Sequence, residues 1–144
     1  NSKPYSGIVY EVLKGYGVQT YSSVLNGELH GIYRSYYSNG KLNEIRSYKN
    51  NLSVGRQYGY YEDTGTLKFE YNYYNEKKEG VQKSWFPDGS LAYIYNYGLQ
   101  QAWRINGSLY RNFEVINGKR YGLQKSVACK ELIDEKIKQV PKSF

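Results

Sequence analysis

The sequence alternates with period two over several stretches. Leu67, Phe69, Tyr71 and Tyr73 fall on one side of an extended strand, with Lys68, Glu70 and Asn72 on the other. Leu91, Tyr93, Tyr95 and Tyr97 repeat the pattern against Ala92, Ile94 and Asn96. Leu109, Phe113 and Val115 do so again, with Arg111 as the exception. An earlier copy keeps Leu42 and Tyr48 in phase but places Glu44 and Arg46 between them. Successive side chains of a strand point to opposite faces, so the pattern predicts sheets with one apolar, aromatic face and one polar face.

Between these stretches the glycines recur in three classes. Gly31, Gly55 and Gly80, with Gly7 before them, stand 24 or 25 residues apart. Gly40, Gly65, Gly89 and Gly107 are each followed two residues later by leucine. The third class is Asn26-Gly27, Asn50-Asn51, Asn75-Glu76, Tyr97-Gly98 and Asn117-Gly118. A fixed period of this length is the mark of a repeat architecture. All the glycines Gly31, Gly40, Gly55, Gly65, Gly80, Gly89 and Gly107 are expected at turns. Ser38-Asn39-Gly40, Asp63-Thr64-Gly65 and Pro87-Asp88-Gly89 carry the chemistry of primed hairpin turns.

The fold expected is all-β: an elongated, twisted antiparallel meander of about five β-hairpins, with a short C-terminal helix. Residues 1–125 form the hairpin-repeat domain and residues 126–144 a basic helix and tail. Within that tail Cys129, Leu132, Ile133, Lys136, Ile137 and Val140 lie at helical spacing, so residues 128–139 read as the helix. It would cap the open end of the array, or dock on a partner or membrane surface.

Composition fits this reading. Among 144 residues there are 19 Tyr, 15 Gly, 3 Pro and no Met. Tyr favours half-buried strands, and Gly supplies turns. The formal charge is +7, and residues 119–144 hold much of it. Lys119, Arg120, Lys125, Lys130, Lys136 and Lys138 are the candidates for a basic surface, against Glu131, Asp134 and Glu135. Such a segment suits an acidic partner or anionic lipid, or is simply a solvated end; nucleic acid is disfavoured as a partner. The Met-less start at Asn1 weighs for a processed chain of the periplasm or envelope.

Catalytic chemistry finds little purchase. A single histidine, His30, is expected in an exposed turn, and a single cysteine, Cys129, rules out an internal disulfide. Gly15-Tyr16-Gly17 lacks the Lys-Ser/Thr of a phosphate loop and reads as the first, degenerate repeat turn. The sequons Asn51-Leu52-Ser53 and Asn106-Gly107-Ser108 arise from repeat turns. No cofactor, metal or catalytic residue is expected. A carbohydrate-active enzyme would need two carboxylates meeting across strands in a cleft.

The pattern Gly31-x-Tyr33-x-x-Tyr36-Tyr37-x-Asn39-Gly40-x-Leu42, then Tyr48-x-Asn50-Asn51, resembles the variant MORN repeat. The unit Gly80 to Leu91, with Trp85-Phe86-Pro87-Asp88-Gly89, resembles it most closely, in the bacterial form labelled a YwqK-type antitoxin. The resemblance implies a hairpin-repeat sheet that binds proteins or lies near membranes. The antitoxin label implies a cytoplasmic binder that neutralises a toxic partner. A short fourth unit and residues 126–144 depart from the pattern.

The function expected is therefore a non-catalytic protein–protein interaction module, an accessory subunit of a larger complex or an antitoxin-like binder. Its candidate contacts are Tyr36, Tyr37, Tyr60, Tyr61, Trp85, Phe86, Tyr93, Tyr95 and Trp103. The alternative is binding of an anionic membrane surface, or nucleic acid, through the basic C-terminal segment.

Overall fold

In the computed structural model, which describes residues 3–96 and 98–123, the chain is a single open antiparallel sheet. Its strands are β1 (Gly7–Leu13), β2 (Val18–Leu25), β3 (Glu28–Tyr36), β4 (Leu42–Lys49), β5 (Leu52–Ser53), β6 (Gly55–Tyr60) and β7 (Leu67–Tyr74). Then come β8 (Lys77–Lys78), β9 (Gln82–Trp85), β10 (Leu91–Asn96), β11 (Leu99–Trp103), β12 (Leu109–Ile116) and β13 (Lys119–Leu123). Their spatial order follows the sequence, with the short β5 beside β4 and β8 beside β7. Five hairpins and one extra strand result, so the expected meander is present, its first hairpin included. The expected helix over 128–139 lies outside the described residues, as do Tyr97, Cys129, Lys125, Lys130, Lys136 and Lys138.

Two kinds of turn alternate. Asn26-Gly27, Asn50-Asn51, Asn75-Glu76 and Asn117-Gly118 each have both residues at positive φ, the signature of a two-residue primed turn. At the other kind only the glycine is left-handed: Gly40, Gly65, Gly89 and Gly107 lie at φ of +71° to +84°, while Asn39, Asp88 and Asn106 do not. Gly40, Gly89 and Gly107 each donate their N–H to the carbonyl three residues back, and a bulge follows. This is an ordinary type I turn closed by a left-handed glycine. The primed chemistry expected of Ser38-Asn39-Gly40 and its copies therefore belongs to the other class. Asn39, Asp88 and Asn106 act locally instead, each accepting the N–H two residues on at 2.8–3.0 Å. The Ser90 hydroxyl and N–H also hold the Asp88 carboxyl below the usual carboxylate range.

Gly31, Gly55 and Gly80 are not at hairpin turns, contrary to expectation. They sit where the first strand of a unit bends, at φ of +103°, +67° and +71°. Gly31 lies inside β3, and Gly55 and Gly80 separate β5 from β6 and β8 from β9. At the latter two bends the preceding residue returns its N–H to the neighbouring strand, Val54 to Ser47 and Glu79 to Asn72, at 2.9 Å. A positive φ makes a kink that a side chain would resist. His30, adjacent to the first of these, is a half-buried strand residue whose Nδ1 lies 3.0 Å from Asn50 Oδ1, and is not an exposed turn histidine.

The units are also tied laterally. The second turn residue donates its N–H to the unit before: Gly27 to Tyr5, Asn51 to Leu29 and Glu76 to Ser53, at 2.8–3.0 Å. Glu76 is held at φ 65°, a region that costs a side-chain-bearing residue about 1 kcal/mol. Glu76→Gly keeps the donated N–H and relieves that cost. Thermal or chemical unfolding should show it more stable by about 0.5–1 kcal/mol.

Candidate functional site

Cross-strand partners in an antiparallel sheet point to the same face, so the register assigns every side chain. One row runs straight across ten strands: Glu11, Thr20, Ser35, Glu44, Gly59, Phe69, Ser84, Tyr93, Ala102 and Arg111. Two residues along, on the same face, lie Tyr33 with Arg46, Gln57 with Tyr71, and Gln82 with Tyr95, Gln100 and Phe113. This front face holds all the buried side chains among the described residues: Thr20, Ser35, Gln57, Gln82, Ala102 and Phe113.

The row has a logic. First strands of the units supply small residues, Ser35, Gly59, Ser84 and Ala102, each four positions after a unit glycine. Second strands supply bulky ones, which lean over their small neighbours. The Phe69 ring fills the space that a Cβ on Gly59 would need. A single-layer sheet can bury surface only this way, with side chains covering the strand beside them. The small-residue register is visible in the sequence as another copy of the period; it is found only by asking which residue faces each aromatic.

Aromatic rings then stand in ranks. Phe69 and Tyr71 stack at 4.6 Å between centroids with planes 15° apart, and Tyr93 and Tyr95 lie parallel at 6.5 Å. Between these ranks is a slot of about 230 Å³, walled by Tyr71, Tyr93 and Tyr95 and closed by Lys78 and Gln82. The Lys78 ammonium lies 3.6 Å from the Tyr71 ring centroid. Burial lowers the Lys78 pKa and raises those of the Tyr71 and Tyr93 hydroxyls. The Gln82 amide is fully engaged, accepting from Asn72 N–H at 3.0 Å and donating to the Asn72, Glu79 and Gly80 carbonyls. It fixes the strand bend, and the rings and Lys78 face the opening.

In the earlier half of the front face the chain fills its own slot. Arg46 pairs with Glu44 at 2.6 Å and lies under the Tyr33 ring, which meets Tyr48 edge-on at 6.3 Å. Partial burial opposes the Arg46 charge, but Tyr48 and Glu44 outweigh it and hold the pKa above its ordinary value. Glu44 and Arg46, exceptions to the aromatic pattern in the sequence, are thus a charge pair occupying the aromatic positions.

The nine candidate contacts do not form one surface. Tyr93 and Tyr95 are on the front face. Tyr36, Tyr60, Trp85 and Trp103 are on the back, in phase with Tyr21, Tyr58, Lys83 and Gln101, and opposite Leu42, Leu67, Leu91 and Leu109 across their hairpins. Tyr10 and Tyr21 pack at 5.0 Å, and Tyr21 and Tyr36 at 5.8 Å, so the back face is aromatic too and not simply polar. Tyr37 and Tyr61 reach sideways: their hydroxyls donate to the Tyr60 and Trp85 carbonyls of the next unit, both at 2.8 Å. Phe86, the next copy, lacks the hydroxyl. A larger hollow of about 540 Å³ on the back includes Arg56, Glu70 and Lys83, with Arg56 paired to Glu70 at 3.8 Å. Lys119 and Arg120 are exposed on β13, Arg120 lying 5.2 Å over Phe113.

Residues 29–50 and 78–98 match the MORN repeat variant. The two matched stretches are β3–β4 and β8–β10, and the unit between them, β5–β7, repeats their strand bend, glycine turn and bulge. No curated protein matches the chain. Among the described residues no three His, Cys, Asp or Glu side chains group as metal ligands, and no helix is long and apolar enough to cross a membrane. The hairpin units thus present an aromatic slot with a cation at its mouth, on a sheet whose front face nothing covers among the described residues.

Proposed function

We propose that this chain is a non-catalytic interaction module that docks another protein on its front face, over the slot between β7 and β10. The observation that carries the proposal is the open aromatic surface. Only Ala102 and Phe113 among the described hydrophobic side chains are fully buried, and the Tyr71, Tyr93 and Tyr95 rings stay half-exposed around a preformed slot. Rigid, half-wet aromatics of this kind are typical anchors of protein interfaces. MORN repeats generally serve as protein- or membrane-binding modules, which agrees with this role. Residues 1–125 would be the docking unit, and residues 126–144 an adjunct. An accessory subunit of a complex and an antitoxin-like inhibitor are the two forms this role could take.

Affinity capture with cross-linking and mass spectrometry is the test. A single stoichiometric partner is expected, cross-linked through Lys78 and the lysines near β12 and β13. Tyr93→Ala/Tyr95→Ala should weaken its capture by about tenfold or more. Trp103→Ala, on the back face, should not. If only lipid or nucleic acid is recovered, and high salt releases it, the basic C-terminal segment becomes the binding element instead.

A further inference from the structure

The charges on the front face are unevenly divided. Over β1–β6 the register places Glu11, Glu44 and Arg46 on it, and Arg46 is already paired with Glu44. Over β7–β13 it places Lys78, Arg111 and Arg120 on it and no carboxylate. Lys78 is opposite Tyr73, Arg111 opposite Ala102, and Arg120 opposite Val115. The ion pairs among the described residues, Arg46 with Glu44 and Arg56 with Glu70, include none of these three cations.

Lys78 and Arg111 are also constrained by what surrounds them. The Lys78 ammonium is packed against the Tyr71 ring, and burial lowers its pKa. The Arg111 Nε is buried and has no hydrogen-bond acceptor. A buried donor without an acceptor carries a cost that a bound anion would remove.

Resting on the front-face docking proposed above, we infer that the partner element is an acidic, extended peptide segment lying across β7–β13. Its carboxylates accept from Lys78, Arg111 and Arg120, and its apolar side chains enter the slot between the Tyr71 and Tyr93–Tyr95 ranks. Charge complementarity selects this occupant. Residues 124–144 of the chain itself hold five lysines against three acids and have the wrong sign. A flat bilayer would meet the exposed Lys78 and Arg120 but not the buried Arg111 Nε, which a carboxylate on an extended segment can approach.

The test titrates the full chain into a fluorescein-labelled peptide of glutamate, proline and leucine in equal parts, with its lysine-for-glutamate counterpart as control. Fluorescence anisotropy should show saturable binding of the acidic peptide alone, weaker at high salt. Lys78→Gln, Arg111→Gln and Arg120→Gln should each weaken it about fivefold, an effect of the size expected of a single charge pair. Lys83→Gln on the back face should leave it unchanged. Circular dichroism monitors folding, and Arg120→Gln on the edge strand carries the test if Arg111→Gln unfolds the chain. No saturable binding, equal binding of the lysine peptide, or an equal effect of Lys83→Gln overturns the inference. So does binding of phosphatidylserine vesicles or single-stranded DNA, lost in the same three variants, where the acidic peptide fails. A captured partner lost in Tyr93→Ala/Tyr95→Ala but retained in Lys78→Gln/Arg111→Gln leaves the docking face standing and rejects the acidic segment.

Discussion

Gly98→Ala should destabilise the fold by about 3 kcal/mol, at the upper end of what overpacking costs. The reason is space. A Cβ at Gly98 would sit 2.6 Å from the Val115 carbonyl oxygen and 3.3 Å from the Val115 nitrogen. Both are backbone atoms of β12, so no rotamer change can make room. The close approach also serves the lateral tie between units, since Val115 N–H donates to the Gly98 carbonyl at 3.0 Å. Pushing the strands apart would stretch that bond as well. Gly118→Asn is the matched control: Gly118 is left-handed at φ 77°, open space surrounds it, and Asn tolerates that region. It should cost well under 1 kcal/mol. Chemical denaturation of both variants decides the matter; equal, small losses would mean that β11 and β12 slide apart freely.

The Tyr37→Phe/Tyr61→Phe double variant should lose about 2–3 kcal/mol, roughly 1 kcal/mol for each hydroxyl bond and some for the carbonyls left behind. These two bonds join one unit to the next at the turn end of the sheet, where Tyr60 and Trp85 close β6 and β9. In a linear repeat protein, stability and cooperativity both depend on contacts between neighbours. The variant should therefore unfold over a broader denaturant range, with a lower slope, as well as at a lower midpoint. Phe86 marks where the natural chain has no third such bond, on the way to the unit shortened between Gly89 and Gly107. An unchanged slope would mean that the strand ladders alone couple the units. These tyrosines stood in the sequence as contacts for a partner; in the fold their hydroxyls are already occupied, while their rings remain half-exposed or exposed.

Much of the architecture could be read along the chain. The period of about 24, the alternation through Phe69–Tyr73 and Tyr93–Tyr95, and the glycine classes together specify antiparallel hairpins stacked in order, whereas Leu67 and Leu91, expected in phase with those rings, stand beyond a bulge on the back face. Turn chemistry and side-chain alternation are local properties, decided by a residue and its nearest neighbours in sequence. Even so, the primed turn expected at Asn39-Gly40 is found at Asn50-Asn51 instead. Asn tolerates both conformations, and the bulge after Gly40 selects the type I turn there.

The faces were another matter. Tyr36 and Tyr37 are one motif in sequence, yet one belongs to the back of the sheet and the other to the next unit. Lys78 and Gln82 carried no signal of their own and Arg111 showed only as a break in the alternation, because each matters only through what stands opposite it. The sequence by itself determined that this chain is a row of aromatic hairpins with a particular period. The tertiary structure alone decided which rings share a face, which cations lack a carboxylate, and that Glu44 and Arg46 close one slot while Tyr71, Tyr93 and Tyr95 leave another open. Alternation is set within a strand, but register and bulges are set between strands, and a surface exists only once neighbouring strands are aligned.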